Sequence, residues 1–182
     1  GSRSKETLLK YTRGDIRFLN TFDVKIIVIA CGTASSAALP AIKDEFDVPI
    51  IGVIDAAVYA AVRATKNKKI GVIGTAGTIK SGEYEKQIKA YDSEMQTFAK
   101  ACPMFVPLVE NGYFDTEVTR IIVAEYLEEI RNQGVDTLIL GCTHYPLIEK
   151  VIREYMGDDV TLINSGAEVA KYLKKKLTKE NL

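Results

Sequence analysis

Two cysteines and the chain's single histidine stand where short apolar runs end. Cys31 follows "VKIIVIA" (24–30), Cys142 follows "VDTLILG" (135–141), and His144 comes two residues after Cys142. Each cysteine precedes a stretch with helical character. A thiol at the start of a helix lies at the positive end of the helix dipole, which favours the thiolate. These positions predict reactive thiols at the carboxyl ends of two strands, where α/β proteins bind their ligands.

Two such thiols on opposite sides of one bound carbon could invert it. One thiolate removes the α-hydrogen of an amino acid while the other thiol returns a proton to the opposite face. Because that hydrogen is weakly acidic, the site also needs fixed hydrogen-bond donors and a dry cleft. Thr33 and Thr143 could hold a carboxylate beside the thiols. The alternative for each cysteine is a core side chain, the usual fate of a single free cysteine. Cys102 is assigned to the core, since Pro103 and no threonine follows it.

Composition argues against several classes of function. Lysine plus arginine and aspartate plus glutamate number 24 each, so no overall field attracts nucleic acid or an anionic membrane. The longest apolar run is far shorter than the roughly 18 residues of a membrane span. Three cysteines without a CxxC pair indicate reduced thiols and a cytoplasmic protein, and one histidine argues against a zinc site. We therefore expect no metal, no nucleic acid and no membrane partner.

The chain alternates short β-branched runs with helical patterns. This alternation predicts a mostly parallel α/β fold. The predicted strands are 24–30, 48–54, 69–74, 135–141 and 160–164, with 95–101 as a weaker candidate. The predicted helices are 4–21, 33–45, 55–65, 78–90, 114–132, 145–155 and 166–177. In 114–132, an apolar stripe is predicted from Val118, Ile122, Tyr126 and Ile130.

A third polar segment, "IGVIGTAGTIKSGEY" (70–84), joins a strand to a helix. Its glycines and threonines superficially suggest a phosphate site, but the spacing matches neither GxGxxG nor GxxxxGK[ST]. Thr75 and Thr78, with N–H groups at a helix start, fit a small carboxylate as well. The two cysteine segments also echo each other, because each has valine seven residues before its cysteine. That echo is either chance or the mark of two related halves.

Together these segments resemble glutamate racemase. The resemblance rests on "VIACGTAS", "IGVIGTAGTIKSGEY", "CPMFVPLVE", "LILGCTHYPL" and "LINSGAEVA", which run along nearly the whole chain. It implies an α/β fold of two pseudo-symmetric three-layer domains with the active site in the cleft between them. Residues 55–163 would form the inserted second domain, and 1–54 with 164–182 the first. It also implies cofactor-independent interconversion of L- and D-glutamate for peptidoglycan synthesis, and so for bacterial cell-wall biogenesis and cell shape, by a cytoplasmic homodimer.

The same resemblance assigns roles to residues. Cys31 and Cys142 would be the two acid/base thiols, with His144 tuning Cys142 and Glu110 assisting near the histidine. The substrate-binding residues would be Gly1, Ser2, Gly32, Thr33, Thr75, Thr78 and Thr143.

The chain departs from the family pattern at two places. Gly32 stands where Cys-Asn-Thr is usual, and we expect a modest effect because N–H groups or water can replace the amide. The family's opening Asp-Ser-Gly strand has no counterpart, and "GSRSKE" aligns with the end of the loop that follows it. We therefore expect an incomplete first domain, and poor racemisation or none by the 182 residues alone.

Two other readings stay open. The first is a relative with the same two cysteines that acts on aspartate, hydantoins or maleate-type diacids. The second is a non-catalytic carboxylate-binding domain. His144 after Cys142 favours glutamate over the first alternative.

Overall fold

The computed structural model describes residues 3–180 as alternating strands and helices. The strands are β1 (Ile27–Ile29), β2 (Ile50–Gly52), β3 (Lys69–Gly74), β4 (Gln96–Ala101), β5 (Thr137–Leu140) and β6 (Thr161–Asn164). The helices are α1 (Lys5–Leu19), α2 (Gly32–Ala37), α3 (Leu39–Ile42), α4 (Val53–Ala64), α5 (Ala76–Lys80), α6 (Glu83–Tyr91), α7 (Phe105–Glu110), α8 (Glu117–Asn132), α9 (Glu149–Met156) and α10 (Ser165–Glu180). Short 3₁₀ helices cover Lys43–Glu45 and Tyr145–Ile148.

The strands form two parallel sheets. β1 pairs with β2, with Ile27 opposite Ile50. The larger sheet has the order β4-β3-β5-β6, and Leu140 at the end of β5 lies opposite Ile73 and Asn164. The predicted mostly parallel α/β fold is confirmed. Because parallel strands place their carboxyl ends at one edge, the segments after β3, β5 and β6 meet there.

The larger sheet is the middle layer of three. Along β5, Leu138 and Leu140 face the core formed with α7, α8 and α9, whereas Ile139 faces the core formed with α4 and α6. This alternation is the period of two expected for a strand covered on both faces. Each fully buried leucine or isoleucine contributes about 1.5–3 kcal/mol. The result is a rigid support for the residues that follow β5.

The smaller sheet has its own core. Ile16 of α1, Ile27 and Ile29 of β1, and Leu39 and Ile42 of α3 pack together. The last helix, α10, packs against α4, which also covers the larger sheet. The division into 1–54 with 164–182 and 55–163 stays a prediction.

Predicted helices 33–45 and 78–90 differ from the structure, and helix α7 was not predicted, each for a local reason. Predicted helix 33–45 is divided into α2, α3 and a 3₁₀ helix, since Pro40 lacks the N–H that a continuous helix needs. Predicted helix 78–90 is interrupted at Gly82, whose φ of +67° is left-handed. Helix α7 was not predicted, because residues 105–110 are too short for a clear periodic pattern.

In α8 the buried face overlaps the predicted stripe without matching it. Ile130 of the stripe is buried, Ile122 and Tyr126 are partly buried, and Val118 is half exposed. The other buried residues of this helix are Thr119, Val123 and Leu127. Thr119 donates its hydroxyl to the Tyr113 carbonyl at 2.6 Å, so the buried face contains a polar residue that a hydrophobicity pattern passes over. Separately, none of the helices between residues 3 and 180 is long and apolar enough to cross a membrane.

Candidate active site

Cys142 lies two residues beyond the end of β5 and is half-buried. Its Sγ atom is 3.8 Å from Nδ1 of His144, and the same nitrogen is 3.3 Å from the Thr143 hydroxyl. Burial raises the pKa of Cys142, and a charge on Cys31 raises it further. Partial burial therefore keeps the proton on Cys142 until a base takes it.

A carboxylate lies on the other side of the imidazole. Oε1 of Glu110, the last residue of α7, is 3.3 Å from Nε2 of His144. The Glu110 side chain is 62% exposed and that of His144 is 33% exposed, so the pair is partly solvated. Because the carboxylate, the imidazole and the thiol lie in this order, the imidazole can pass a proton to or from Cys142. The structure brings together Glu110, His144 and Cys142, as the resemblance implied.

Cys31 occupies the position that caps the start of α2, with extended backbone angles and an exposed side chain. A charge on Cys31 raises the pKa of Cys142. The surroundings of the two thiols differ, because Cys31 is exposed and Cys142 is half-buried.

Three threonine hydroxyls form a triangle beside the thiols. Thr33 Oγ1 of α2 is 2.8 Å from Thr75 Oγ1 and 3.1 Å from Thr78 Oγ1, and the latter two are also 3.1 Å apart. Thr78 and Thr33 are buried, and Thr75 is half-buried. Each hydroxyl can donate one hydrogen bond and accept others, so the triangle can re-orient around a ligand. It joins the segment after β1 to the segment after β3.

Gly32 and Gly141 bring the two cysteine segments into contact. A Cβ atom at Gly32 would lie 2.3 Å from the Gly141 carbonyl oxygen, and one at Gly141 would lie 2.6 Å from the Ile73 carbonyl oxygen. Both obstacles are backbone atoms, which cannot turn aside as a flexible side chain can. This chain therefore requires glycine at both positions, and an asparagine at position 32 does not fit the present arrangement.

A small cavity of about 100 Å³ lies beside Cys142. Gly32, Gly141, Thr143 and Ser165 contribute to its wall. Larger cavities of about 670 Å³ and about 410 Å³ lie between α4 and α10 and between α8 and α9, away from both thiols. The chemistry of the side chains, and not cavity size, identifies the site.

Most of the predicted site residues within 3–180 lie around this one edge of the sheets: Cys31, Gly32, Thr33, Thr75, Thr78, Cys142, Thr143 and His144, with Glu110 reaching the histidine. Gly1 and Ser2 lie outside the described residues. Cys102 is fully buried, which raises the pKa of its thiol to about 12. Within residues 3–180, no group of three His, Cys, Asp or Glu side chains could hold a metal ion.

Sequence reasoning missed Tyr84 and Ser165. Ser165 follows β6, so the rule that selected the residues after β1 and β5 would have selected it too. The Tyr84 ring is buried under Gly141, and no spacing in the sequence connects these two residues.

The fold and the paired thiols define a class of α/β proteins. Residues 3–173 match the Asp/Glu/Hydantoin racemase family, so the chain belongs to this family. That match covers most of the described chain and includes both cysteine segments and the threonine triangle.

Individual relatives support the same family assignment. A glutamate racemase of Persephonella marina is 47% identical over 176 residues, which are 97% of this chain and 67% of that protein. The crystal structure of glutamate racemase isoform RacE1 from Bacillus anthracis superimposes with a TM-score of 0.94 at 41% identity, covering 98% of this chain and 67% of the other. The glutamate racemase of Francisella tularensis in complex with D-glutamate gives a TM-score of 0.91 at 31% identity, covering 99% and 67%. The chain spans about two thirds of the length of these relatives.

Proposed function

We propose that this chain carries the two-thiol centre of a glutamate racemase, which interconverts L- and D-glutamate without a cofactor. The observation that carries the proposal is the contact of the two cysteine segments at Gly32 and Gly141, with the threonine triangle beside them. Relatives named glutamate racemase, at 43–49% identity, support the substrate.

The electrostatics of the thiol pair suit a two-base mechanism. A charge on Cys31 raises the pKa of Cys142, so simultaneous ionisation of both thiols is disfavoured. A pair with one thiolate and one thiol is the state that racemisation needs. The thiolate takes the α-hydrogen as a proton, leaving the electron pair on the α-carbon, and the thiol on the opposite face then gives its proton to that carbon. After one turnover the two sulfur atoms have exchanged protonation states.

Glu110 and His144 serve the Cys142 side of this exchange. The imidazole Nδ1 faces the thiol and Nε2 faces the carboxylate, so the carboxylate holds the ring oriented toward Cys142. The Glu110–His144 pair returns Cys142 to the required protonation state between turnovers. Cys31 exchanges its proton with solvent instead, because its side chain is exposed.

The threonine triangle holds the substrate. The hydroxyls of Thr33, Thr75 and Thr78 are hydrogen-bonded to one another at 2.8–3.1 Å. Each hydroxyl can exchange these hydrogen bonds for one to the carboxylate or ammonium group of the amino acid. Thr143 and the N–H groups near Gly32 complete the set of donors. These contacts stabilise the negative charge that develops when the α-hydrogen leaves.

The remaining parts of the proposal come from the resemblance to glutamate racemase. D-Glutamate would supply peptidoglycan synthesis in a bacterial cytoplasm, and the protein would work as a homodimer. The division into a first domain of 1–54 with 164–182 and an inserted domain of 55–163 belongs to the same proposal.

Proton exchange in deuterated water tests this function. We expect L- and D-glutamate each to yield the opposite enantiomer with one deuteron at the α-carbon, measured by chiral chromatography and mass spectrometry. Because Cys31 is exposed and the site is not fully dry, we expect the rate of this chain alone to be low. Cys31→Ser and Cys142→Ser should each reduce exchange roughly 10²- to 10⁴-fold.

The substrate panel of that experiment includes aspartate and a hydantoin. Exchange confined to aspartate would replace glutamate with the runner-up substrate. Exchange no faster than in Cys142→Ser would reject racemisation by this chain alone, and a chain that binds glutamate without exchange would be a carboxylate-binding domain.

A further inference from the structure

The Leu140–Gly141 peptide, which lies one residue before Cys142, has both of its polar atoms hydrogen-bonded. The Gly141 N–H donates to the Ile73 carbonyl at 2.8 Å, which fixes the peptide to β3. The Leu140 carbonyl, on the same peptide, accepts from the Ser165 hydroxyl at 2.9 Å. Ser165 is the first residue of α10, so this bond connects the end of β5 to the helix after β6.

The second bond has a buried partner behind it. The Tyr84 hydroxyl lies 3.4 Å from Ser165 Oγ, a long hydrogen bond. Because the single Ser165 proton is already given to Leu140, Tyr84 is the donor in this pair. Burial raises the pKa of Tyr84 to about 12, so its hydroxyl keeps the proton it donates. The chain of donors therefore runs from Tyr84 to Ser165 to the Leu140 carbonyl.

The Tyr84 ring restricts the same peptide by contact. A Cβ atom at Gly141 would lie 3.3 Å from the ring and 2.6 Å from the Ile73 carbonyl oxygen. Ser165 and Gly141 also line the cavity of about 100 Å³ that Cys142 faces. Hydrogen bonds and packing thus leave the Leu140–Gly141 peptide little freedom, and the position of the thiol depends on that peptide.

We propose that Ser165, backed by Tyr84, is a positioning residue that sets where the Cys142 thiol stands in the site. This inference rests on the proposed function for its catalytic consequence, but not for its structural one. Removing the Ser165 hydroxyl leaves a buried carbonyl without its partner, and the end of β5 relaxes toward solvent. Misplacing a reacting group by about 1 Å can cost 10²-fold in rate.

Ser165→Ala is the primary variant because it changes no titratable group. The groups that titrate around Cys142 are Cys31, Tyr84, His144 and Tyr145, with Glu110 beyond the histidine. All of them remain in Ser165→Ala. A change in thiol behaviour in that variant therefore reports a change in position.

The first measurement needs no turnover. The rate of Cys142 alkylation by iodoacetamide is followed across pH by peptide mass spectrometry. We expect Ser165→Ala to alkylate roughly tenfold faster, with a lower midpoint pH, because the thiol gains solvent. Tyr84→Phe should give a smaller change of the same sign, and the double variant should match Ser165→Ala, since both hydroxyls act through one bond.

Thr137→Val is the matched control. It removes another buried hydroxyl from the opposite end of β5, roughly 16 Å from Cys142 along the strand. We expect it to lower stability without changing alkylation. The proposal is overturned by a Ser165→Ala profile that matches the parent protein, or by an equal change in Thr137→Val.

The second measurement follows catalysis with glutamate deuterated at the α-carbon. If Ser165 positions Cys142 alone, the primary isotope effect should increase in Ser165→Ala for the enantiomer from which Cys142 takes the proton, and not for the other. An equal change for both enantiomers contradicts the proposal. A parent protein without exchange would reject racemisation by this chain alone, and alkylation would then still decide the role of Ser165.

Discussion

The two cysteine segments have similar sequences but different surroundings. Cys31 follows β1, which belongs to a sheet of two strands, and its side chain is exposed. Cys142 follows β5, an inner strand of the four-stranded sheet, and its side chain is half-buried beside His144. The pattern of a strand followed by cysteine thus predicts the position of a thiol in the fold, but it does not predict the solvent exposure of that thiol.

The difference is one of support. The Leu140–Gly141 peptide before Cys142 is hydrogen-bonded to Ile73 and Ser165 and packed against Tyr84. Near Cys31, Ser35 donates to the Ile29 carbonyl at 2.8 Å, so a serine again closes a strand end, but from within the helix that follows. The Cys142 site is therefore built from four elements distant in sequence, whereas the bond that closes the strand before Cys31 is local. We expect mutations to affect the two thiols unequally.

The largest effect is expected where the two segments touch. In Gly32→Ala, the new Cβ would lie 2.3 Å from the Gly141 carbonyl oxygen, so the start of α2 must move away from Cys142. We expect racemisation to fall about 100-fold, because separating the two thiols misaligns both proton transfers. Deuterium exchange into glutamate measures this loss.

Gly14→Ala is the control for that substitution. Gly14 lies in α1 with nothing within 4 Å of an added Cβ, so alanine should preserve activity and stabilise the helix by about 1 kcal/mol. Full activity in Gly32→Ala would show that contact between the two cysteine segments is not required.

The second expectation concerns thiol reactivity in the folded protein. Exposed Cys31 should be alkylated at least about tenfold faster than half-buried Cys142 near neutral pH, because burial raises the pKa of Cys142. Buried Cys102 should not react until the protein unfolds. Peptide mapping measures the three rates, and equal rates in urea provide the control. Equal alkylation rates for Cys142 and Cys31 in the folded protein would contradict the difference in surroundings between the two thiols.

A smaller effect is expected at Glu110. Glu110→Gln removes the carboxylate that faces Nε2 of His144, and should lower kcat roughly threefold with KM unchanged, because the carboxylate is largely exposed and its field is screened. Steady-state kinetics in both directions measure this change. Glu128→Gln removes an exposed carboxylate from α8 and should leave both constants unchanged. A change in KM alone would assign Glu110 to substrate binding.

Local patterns in the sequence were sufficient to predict the parallel sheets. β3, β5 and β6 are continuous β-branched runs, and the structure contains each of them within two residues of its predicted bounds. The edge location of Cys142 follows from the same rule, since ligand-binding residues follow strands. Where prediction failed, backbone chemistry in one or two residues decided the outcome, as at Gly82 and Pro40.

The surroundings of the site could not be predicted in the same way. Glu110 reaches His144 from α7, 34 positions earlier, and only the family resemblance selected it. The packing of Tyr84 under Gly141 depends on how α6 crosses the larger sheet, which no local spacing encodes. Long-range packing sets burial, and burial raises the pKa of Cys142 and of Cys102.

The smallest expected effect concerns Cys102, the one fully buried thiol among the three. Full burial raises the pKa of Cys102 to about 12 from 9.0. Because the folded state holds this proton more tightly than the unfolded state, the stabilisation is complete below the unfolded pKa and is lost as pH rises toward the folded pKa. We expect the free energy of unfolding to fall by about 1 kcal/mol between about pH 8.5 and about pH 10 because of this thiol. Urea unfolding at several pH values measures the fall.

Two variants serve as controls for this prediction. The free energy of unfolding of Cys102→Ala should be lower at neutral pH but should fall less steeply with pH. That of Cys31→Ser should fall as in the parent protein, since the Cys31 thiol is already exposed. Equal slopes in the parent protein and Cys102→Ala would mean that Cys102 ionises as readily when folded as when unfolded, and burial could then no longer explain why the three thiols differ.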